Sequence, residues 1–363
     1  MCIYMWRIQI RPQWHIGPAD AEEDARVVDC TALIGLLAAV QEGGGIAQAA
    51  RSLGVSYRHA WGQIRRAEVV FGHPLIDAGR GRGSSLSPLA EKLIWAQRRV
   101  SARLSPLLDS LASELEHEIE RTLPRPPRAL RLHASHGFAV AALLEQLEAN
   151  ALPLELRYRN SLESVAALAH GECDLAGFHV PIGEFEPPAV QRYRQWLRDD
   201  EHCLVHLAVR KQGLFVAAGN PKRIRTLADL ARADVRFVNR PEGSGTRMLT
   251  ELLLDKHRIA RADLRGWDSA EFTHAAVAAY IASGMADVGV GVQTAAQRFG
   301  LTFIPLLRER YFLALRAAAK PQPAMQSVLA LTASPAYRSA VAALVGYEAG
   351  ETGRVLSVAQ AFG

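Results

Sequence analysis

Residues 239–247 combine the residue types that bind anions. Glycines and hydroxyl side chains stand there between two arginines: Arg240, Ser244, Gly245, Thr246 and Arg247. The run lies between a β-rich and a helical segment, so its amides and hydroxyls are expected at a helix N-terminus, where the helix dipole favours negative charge. It lacks the lysine of a Walker loop and the G-x-G-x-x-G fingerprint of dinucleotide sites. We therefore predict an anion site that is not a nucleotide loop, and a simple capped helix is the alternative.

Two earlier turns have the same character. Ser135 and His136 follow one β-rich run and open a helix, and Asn160 and Ser161 do the same after the next run. In open α/β sheets, ligands bind at the carboxyl ends of strands. The three turns are therefore expected to line one cleft.

A second set of residues is suited to nucleic acid. Residues 51–103 contain ten Lys or Arg and three Asp or Glu, a net charge of +7, whereas the whole chain has a formal net charge of +5. Acidic residues flank this stretch, so the patch is bounded, and local positive charge of this size suits DNA. A basic solvated face is the alternative. The candidate DNA contacts are Ser56, Tyr57, Arg58, His59, Arg65, Arg66, Arg80 and Arg82.

Helical spacing and glycines indicate how the basic patch is built. Helices are predicted at 31–42, 46–54 and 56–72, each ending at glycine, and a glycine-rich hairpin is predicted at 74–87. Leucines recur every three or four residues from 88 to 121, which predicts a long helix with an unpartnered apolar stripe. Pro106 within it predicts a kink or a restart.

The proline-rich run at 124–128 predicts a stiff spacer between domains. After it, strand and helix alternate, which predicts a parallel sheet in two α/β lobes. We therefore predict residues 1–87 as a DNA-binding domain with an N-terminal leader that packs as a strand, 88–127 as a dimerisation and linker helix with a hinge, and 128–363 as a ligand-sensing domain. The overall fold class is α/β.

Composition excludes several classes of protein. Apolar residues make up 49% and charged residues 22% of 363 residues, which excludes wholesale disorder. No apolar run approaches the roughly 18 residues of a membrane span, and a secretory signal is lacking, so we expect a cytoplasmic protein that does not contact membranes. Four isolated cysteines are expected to be reduced. We expect no metal at His202, Cys203 and His206, because strand alternation separates the cysteine from the histidines.

The runs AQAARSLGVSYRHAWGQIRRAEVVFGHPLI and GRGSSLSPLAEKLI resemble the winged helix-turn-helix of LysR-type and molybdate-responsive ModE-type bacterial regulators. The resemblance covers about residues 28–121, and the SYRHAW helix start and the glycine-arginine wing are closer to the molybdate-responsive type. It implies double-stranded operator DNA as a partner. It also implies that the long helix pairs two subunits, giving a homodimer or a dimer of dimers.

The order LHASHG, RNSLESVAALAHGECDLAGFHV, FVNRPEGSGTR and AYIASGMADVGVGV resembles a type II periplasmic-binding-protein-like domain found in molybdenum-related proteins. This resemblance implies two lobes that close over a small ligand. By position it implies ligand contacts at Ser135, Asn160, Ser161, Ser244, Gly245 and Thr246. Five basic residues depart from a neutral oxyanion cage and favour a larger phosphorylated or pterin-type anion: His136, His179, Arg240, Arg247 and His274.

The sequence thus predicts a one-component transcriptional regulator that senses a small anionic effector. No cofactor is required, and the favoured effector is molybdate, tungstate or a molybdenum-cofactor-like anion. One alternative is a LysR-type regulator that senses an organic acid. Another is an enzyme of molybdenum-cofactor metabolism with a DNA-binding head, although the sequence has no G-x-S-x-G elbow and Ser135 is too close to His136 to define a triad. We expect that the protein is not an enzyme, and the sign of regulation stays open.

Overall fold

The computed structural model describes residues 8–17, 28–78, 84–120 and 130–363. Residues 11–101 form one compact unit, and residues 102–363 belong to a second. The proline-rich spacer, Cys2, and the predicted DNA contacts Arg80 and Arg82 lie outside the described residues. The domain boundaries predicted after residues 87 and 127 stay predictions.

The first unit is built on three short helices. Strands β1 (His15–Ile16) and β2 (Val28–Asp29) pair antiparallel ahead of them, and Trp14 and Ile16 pack on the helical core. The helices are α1 (Cys30–Gly43), α2 (Ile46–Ser52) and α3 (Tyr57–Phe71). The apolar positions that predicted α1 are all buried: Leu33, Leu36, Leu37 and Val40. Gly44 ends α1 with a φ of 72°, a conformation that favours glycine.

A hairpin and a long helix follow. Strands β3 (Ile76–Ala78) and β4 (Ser84–Leu86) pair antiparallel, which confirms the predicted hairpin outside its tip at 79–83. Helix α4 (Pro88–Glu120) then continues through Pro106, so the predicted restart is wrong, while the alternative, a kink at Pro106, stays a prediction. Proline removes a single main-chain hydrogen bond, and the rest of this 33-residue helix continues around it. Its exposed apolar residues are Val100, Leu107, Leu111, Leu115 and Ile119.

The second unit alternates strands and helices. In chain order its first elements are β5 (Leu130–Ala134), α5 (Phe138–Ala149), β6 (Leu154–Tyr158), α6 (Ser161–His170), β7 (Leu175–Pro181), α7 (Glu186–Tyr193) and β8 (His202–Val216). The next are β9 (Phe237–Val238), α8 (Gly245–Lys256), α9 (His274–Ala282), β10 (Val288–Val292), α10 (Gln293–Arg298) and β11 (Thr302–Arg316). The last are α11 (Pro323–Thr332), α12 (Pro335–Ala342), β12 (Tyr347–Glu348), β13 (Val355–Ser357) and α13 (Val358–Phe362).

The sheet is mixed, whereas the sequence predicted a parallel one. Its main order is β6-β5-β7-β11-β8-β10-β9, and β12 and β13 also pair with β8. Strands β5, β6 and β7 pair parallel, as do β9 and β10, but β8 and β11 are antiparallel to each other and to their outer neighbours. Only residues 202–206 of β8 and the start of β11 were treated as strands in the sequence. The local alternation of strand and helix contains no signal for this long-range antiparallel pair.

The pair β8 and β11 connects two lobes with separate cores. We define the first lobe by β5–β7 with α5–α7, and the second by β9 and β10 with α8–α10. The larger apolar cluster of the first lobe includes Leu132 and Leu143, and that of the second includes Phe237 and Leu254. The two predicted α/β lobes are therefore present.

Each lobe contains the same arginine clamp. Arg131 donates to both carboxylate oxygens of Asp174 and to the carbonyl of Gly171. In the second lobe, Arg236 makes the same three bonds, to Asp287 and to the carbonyl of Gly284. In both cases the glycine follows a helix and the aspartate, three residues later, precedes a strand. Each clamp thus fixes a helix end to the strand that follows it.

In the described ranges, no single helix has the length and apolar character of a membrane span; α1 and α2 meet that test only together, across a bend of 115°. Cys30, Cys173 and Cys203 are buried free thiols.

Candidate functional sites

The start of α3 presents polar side chains to solvent. The hydroxyl of Ser56 caps the helix by accepting from the amide of His59 at 3.2 Å. Ala60, Ile64 and Ala67 bury the opposite side of α3 in the core of the first unit. Consequently the predicted DNA contacts at this helix start are exposed: Ser56, Tyr57, Arg58 and His59.

An aromatic and ionic network continues along α3. Tyr57 stacks on Trp61, with ring centroids 6.3 Å apart, and the guanidinium of Arg65 lies 4.5 Å from the Trp61 ring. Arg65 also pairs with Glu68 at 2.8 Å, which offsets part of its charge, whereas Arg66 is exposed. Glu68 in addition accepts from the amide of Leu75 at 2.8 Å and so anchors the chain just before β3, a role that the sequence did not indicate.

In the second unit, the predicted turns of the two lobes meet. A β-carbon placed on Gly243 would lie 2.7 Å from Asn160 Nδ2. A β-carbon on Gly245 would lie 3.8 Å from Ser161 Oγ and 3.9 Å from the β-carbon of His179. At Gly243 φ is +79°, a backbone conformation that favours glycine. The N-termini of α6 and α8 lie against each other across the two lobes.

Five basic side chains gather next to these helix starts. We call them the basic cluster: His136, His179, Arg210, Arg240 and His274. Burial and the charge of Arg240 lower the pKa of His136 to about 4. Burial, followed by the charges of Arg240 and Arg210, lowers the pKa of His274 well below its usual range. Burial and repulsion by Arg210 likewise lower the pKa of Arg240 to about 9. These mutual effects show that groups from both lobes share one weakly solvated region.

Several polar atoms in this region are buried without a hydrogen-bond partner among the described residues: Gln212 Oε1, His179 Nε2, His274 Nδ1 and Arg240 Nε. The Arg240 side chain makes one main-chain contact, from Nη1 to the carbonyl of Glu271 at 3.3 Å. Buried polar groups in folded proteins are normally satisfied. Among these atoms, Arg240 Nε is a fixed donor, and an unsatisfied charged donor beside two helix N-termini gives this region the capacity to bind an anion.

The turn after β5 borders the same region. A β-carbon on Gly137 would lie 3.7 Å from Arg210 Nη1. Ser135 lies near the Tyr311 hydroxyl, which has no hydrogen-bond partner among the described residues, and the Tyr311 ring stacks on His179 with ring centroids 3.9 Å apart. His136 in turn contacts the ring of Tyr158, with centroids 5.0 Å apart. The structure therefore brings Ser135 and His136 together with Ser161, His179, Arg240 and His274.

Sequence reasoning missed the residues on the two crossing strands. Arg210 and Gln212 lie on β8 and Glu309 on β11, all buried. Arg210 Nε donates to Glu309, and Gln212 Nε2 donates to Glu309 Oε1 at 3.0 Å and to Thr246 Oγ1 at 3.1 Å. The available signal was charged and amide residues inside apolar runs, which in a buried strand indicate a polar network.

Two predicted ligand residues have other contacts. Arg247 donates to Glu251 at 3.0 Å and stacks on Trp267 at 3.8 Å, while the Ser244 hydroxyl accepts from the amide of Arg247. Both line a cavity of about 370 Å³ beside α8, together with Gly245, Glu242 and Glu251. The lining of this cavity combines two glutamates with three arginines, Arg192, Arg247 and Arg261, so its charges are mixed, whereas the basic cluster is formed by arginines and histidines.

No group of three or more metal-ligating side chains occurs in the part of the chain that the structure describes. His202 and Cys203 are buried in β8 with His206, whose ring packs edge-on against Phe312.

Two protein families match this chain. The PBP superfamily domain matches residues 143–333, which is more than half of the chain, and the lysR family of bacterial regulatory helix-turn-helix proteins matches residues 32–91.

Individual relatives are more distant. The uncharacterized protein YvgK of Bacillus subtilis is 35% identical over 203 residues, covering 55% of this chain and 64% of YvgK. The molybdenum-pterin-binding protein MopB of Rhodobacter capsulatus is 31% identical over 130 residues, covering 35% of this chain and 47% of MopB. The match therefore spans less than two thirds of either relative. Among solved structures, HypT, a hypochlorite-specific LysR-type transcriptional regulator of Salmonella typhimurium, aligns with a TM-score of 0.42 at 16% identity over 82% of this chain and 94% of that one.

Proposed function

Because this chain belongs to the PBP superfamily and carries a helix-turn-helix domain of the lysR family, we propose that it is a one-component DNA-binding transcriptional regulator whose second unit senses a small anion. Anion binding between the lobes changes how two copies of the first unit fit an operator.

The observation that carries the effector proposal is the basic cluster. Arg240 is buried, and its Nε has no hydrogen-bond partner among the described residues. Burial disfavours the charged guanidinium, and repulsion by the charge of Arg210 disfavours it further. An anion supplies the missing acceptor and relieves this repulsion. The adjacent starts of α6 and α8 add main-chain dipoles of the same sign.

The proposed effector class is molybdate, tungstate or a molybdenum-cofactor-like anion. The name of the relative MopB, a molybdenum-pterin-binding protein, supports this class. An organic acid is the alternative, because buried guanidinium groups such as that of Arg240 suit carboxylates.

The proposed partners are double-stranded operator DNA and a second copy of the chain. On α4, Leu107, Leu111 and Leu115 are exposed at helical spacing, and such a stripe is suited to burial against another helix. The exposed Ser56, Tyr57, Arg58, His59 and Arg66 are the proposed DNA contacts within the described residues, Arg65 contributes in part, and Arg80 and Arg82 are retained from the sequence.

Fluorescence anisotropy tests the proposal with duplexes from the promoter of the gene itself and with random duplexes of equal length, over a series of salt concentrations. We expect preference for the promoter and a linear loss of log affinity with log salt concentration. Arg58→Ala should reduce the preference, while Arg225→Ala, an exposed arginine of the second unit, should leave it unchanged. Equal binding to promoter and random DNA would refute the DNA-binding role. Thermal-shift measurements with molybdate, tungstate and carboxylates test the effector class.

A further inference from the structure

The amide of Gln212 has a fixed orientation. Its side chain is fully buried on β8 and lies 3.0 Å from Glu309 Oε1. A carboxylate paired with an arginine only accepts hydrogen bonds, so the nitrogen of the amide must face it. The same nitrogen donates to Thr246 Oγ1 at 3.1 Å. Turning the amide over would place two acceptors against each other, so the assignment of nitrogen and oxygen follows from Glu309 itself.

This orientation leaves an acceptor without a donor. Gln212 Oε1 is buried and has no hydrogen-bond partner within the described ranges. Unlike an imidazole nitrogen, an amide oxygen cannot change tautomer to become a donor. The atom therefore requires a hydrogen-bond donor from outside these residues if it is not to remain unsatisfied.

Gln212 belongs to the same region as the basic cluster. It lies two residues from Arg210 on β8, and in a strand such residues share a face. Both side chains donate to Glu309, and Thr246, the other partner of Gln212, lies in the first turn of α8. The region thus combines unsatisfied donors, such as Arg240 Nε, with an unsatisfied obligate acceptor.

The histidines of the basic cluster do not all add positive charge to this region. Burial, followed by the charges of Arg210 and Arg240, lowers the pKa of His179 well below its usual range. A neutral imidazole offers one donor and one acceptor. His179 Nδ1 lies 3.4 Å from Ser161 Oγ, and its Nε2 is unsatisfied among the described residues.

We propose that the effector is a small anion that also carries a hydrogen-bond donor, a hydroxyl or N–H group, beside its anionic oxygens. The anionic oxygens bind Arg240 and the donor binds Gln212 Oε1. This inference rests on the proposed function and narrows its effector class. It favours a phosphorylated, pterin-type anion or a hydroxy acid over bare molybdate, tungstate or sulfate, which carry no proton near neutral pH.

Isothermal titration of the full-length protein at pH 7.5 tests the inference with two matched pairs. Phosphate and sulfate share a tetrahedral shape, but only phosphate retains a hydroxyl; malate and succinate differ by one hydroxyl. We expect at least one pair to bind, and in it the member with the donor to bind about tenfold more tightly, the effect of satisfying one buried acceptor. Failure of both phosphate and malate to bind overturns the inference. Equal or tighter binding of sulfate or succinate overturns the inference, and so does tighter binding of molybdate or tungstate than of phosphate.

Variants assign the preference to one atom. Gln212→Met removes the amide oxygen at similar length and should reduce the preference from about tenfold to less than twofold. The matched control is Gln326→Met, an exposed glutamine on α11, which should retain the tenfold preference. A preference that persists in folded Gln212→Met overturns the assignment. The pairs measured on the unaltered protein decide the ligand class even if that variant does not fold.

The outcomes separate this inference from the proposed function. Binding of donor-free anions alone overturns the inference and leaves an anion-sensing regulator in place. Loss of the promoter preference in the anisotropy assay overturns the regulatory function, whichever anion binds.

Discussion

Replacing Arg240 by methionine should stabilise the effector-free protein and weaken anion binding. Arg240 is only 6% exposed, and its pKa is lowered to about 9 by burial and by Arg210. A lowering of that size corresponds to roughly 5 kcal/mol against the charged form. Because the guanidinium keeps its proton, this penalty acts on the folded state. Methionine fills similar volume without charge.

The expected gain is smaller than the full penalty. The contact to the Glu271 carbonyl and relaxation around the charge recover part of it, and even the replacement of buried ion pairs by apolar residues is often neutral or stabilising by about 1–4 kcal/mol. The free energy of unfolding, from urea titration of the full-length protein without effector, should therefore rise by an amount in this range. Loss of a charged hydrogen bond should weaken anion binding by about 10- to 150-fold.

Arg131→Met is the matched control. Arg131 is also an arginine of the second unit, but it is clamped to Asp174 by two side-chain bonds of 3.1 and 3.2 Å. Its loss leaves that carboxylate without its clamp, so the variant should be destabilised by about 1–3 kcal/mol while its anion affinity stays unchanged. If Arg240→Met is destabilised as strongly as Arg131→Met, or binds anions like the unaltered protein, Arg240 is a structural residue and the assignment of the anion site is wrong.

Three further predictions concern other parts of the chain. Burial lowers the pKa of His206 to about 4, whereas the pKa of a histidine in the unfolded chain is near 6.5. Between these two pH values the unfolded state binds more protons than the folded state. The free energy of unfolding therefore decreases as the pH falls from about 6.5 towards 4. His206→Leu should reduce that loss by up to about 1.4 kcal/mol per pH unit, and an unchanged slope in urea titrations from pH 7 to pH 4 would contradict it. Leu111→Glu places a charge in the apolar stripe of α4, so analytical ultracentrifugation should show monomers in place of dimers. The control Glu118→Gln should remain dimeric. If the Leu111→Glu variant is still a dimer, α4 is not the dimer interface. Asp287→Asn should weaken the second-lobe clamp and lower the free energy of unfolding by about 1–2 kcal/mol, after allowance for the partial exposure of Arg236. The melting temperature should fall accordingly, and an unchanged melting temperature would show that the clamp is not stabilising.

The sequence alone predicted the first unit well. The buried positions of α1, the cap at Ser56 and the hairpin before α4 all follow from spacing and from local residue types. Helices and hairpins are local structures, and their periodicity and caps are present within short segments. The restart predicted at Pro106 was the exception, because the missing main-chain hydrogen bond of one proline did not end the helix around it.

One part of the candidate anion site was predictable from the sequence, and the other part was visible only in the tertiary structure. Its helix starts, including Ser161 and Gly245, were predictable because each strand end and cap is a local pattern. Only the tertiary structure paired Arg210 with Glu309, 99 residues away, and brought Gln212 of β8 to Thr246 of α8. The tertiary structure also showed that Arg247 contacts Glu251 and Trp267 and does not belong to the basic cluster. The register of β8 against β11 is set by long-range packing of the two lobes, and no local spacing in the chain encodes which side chains that register brings together.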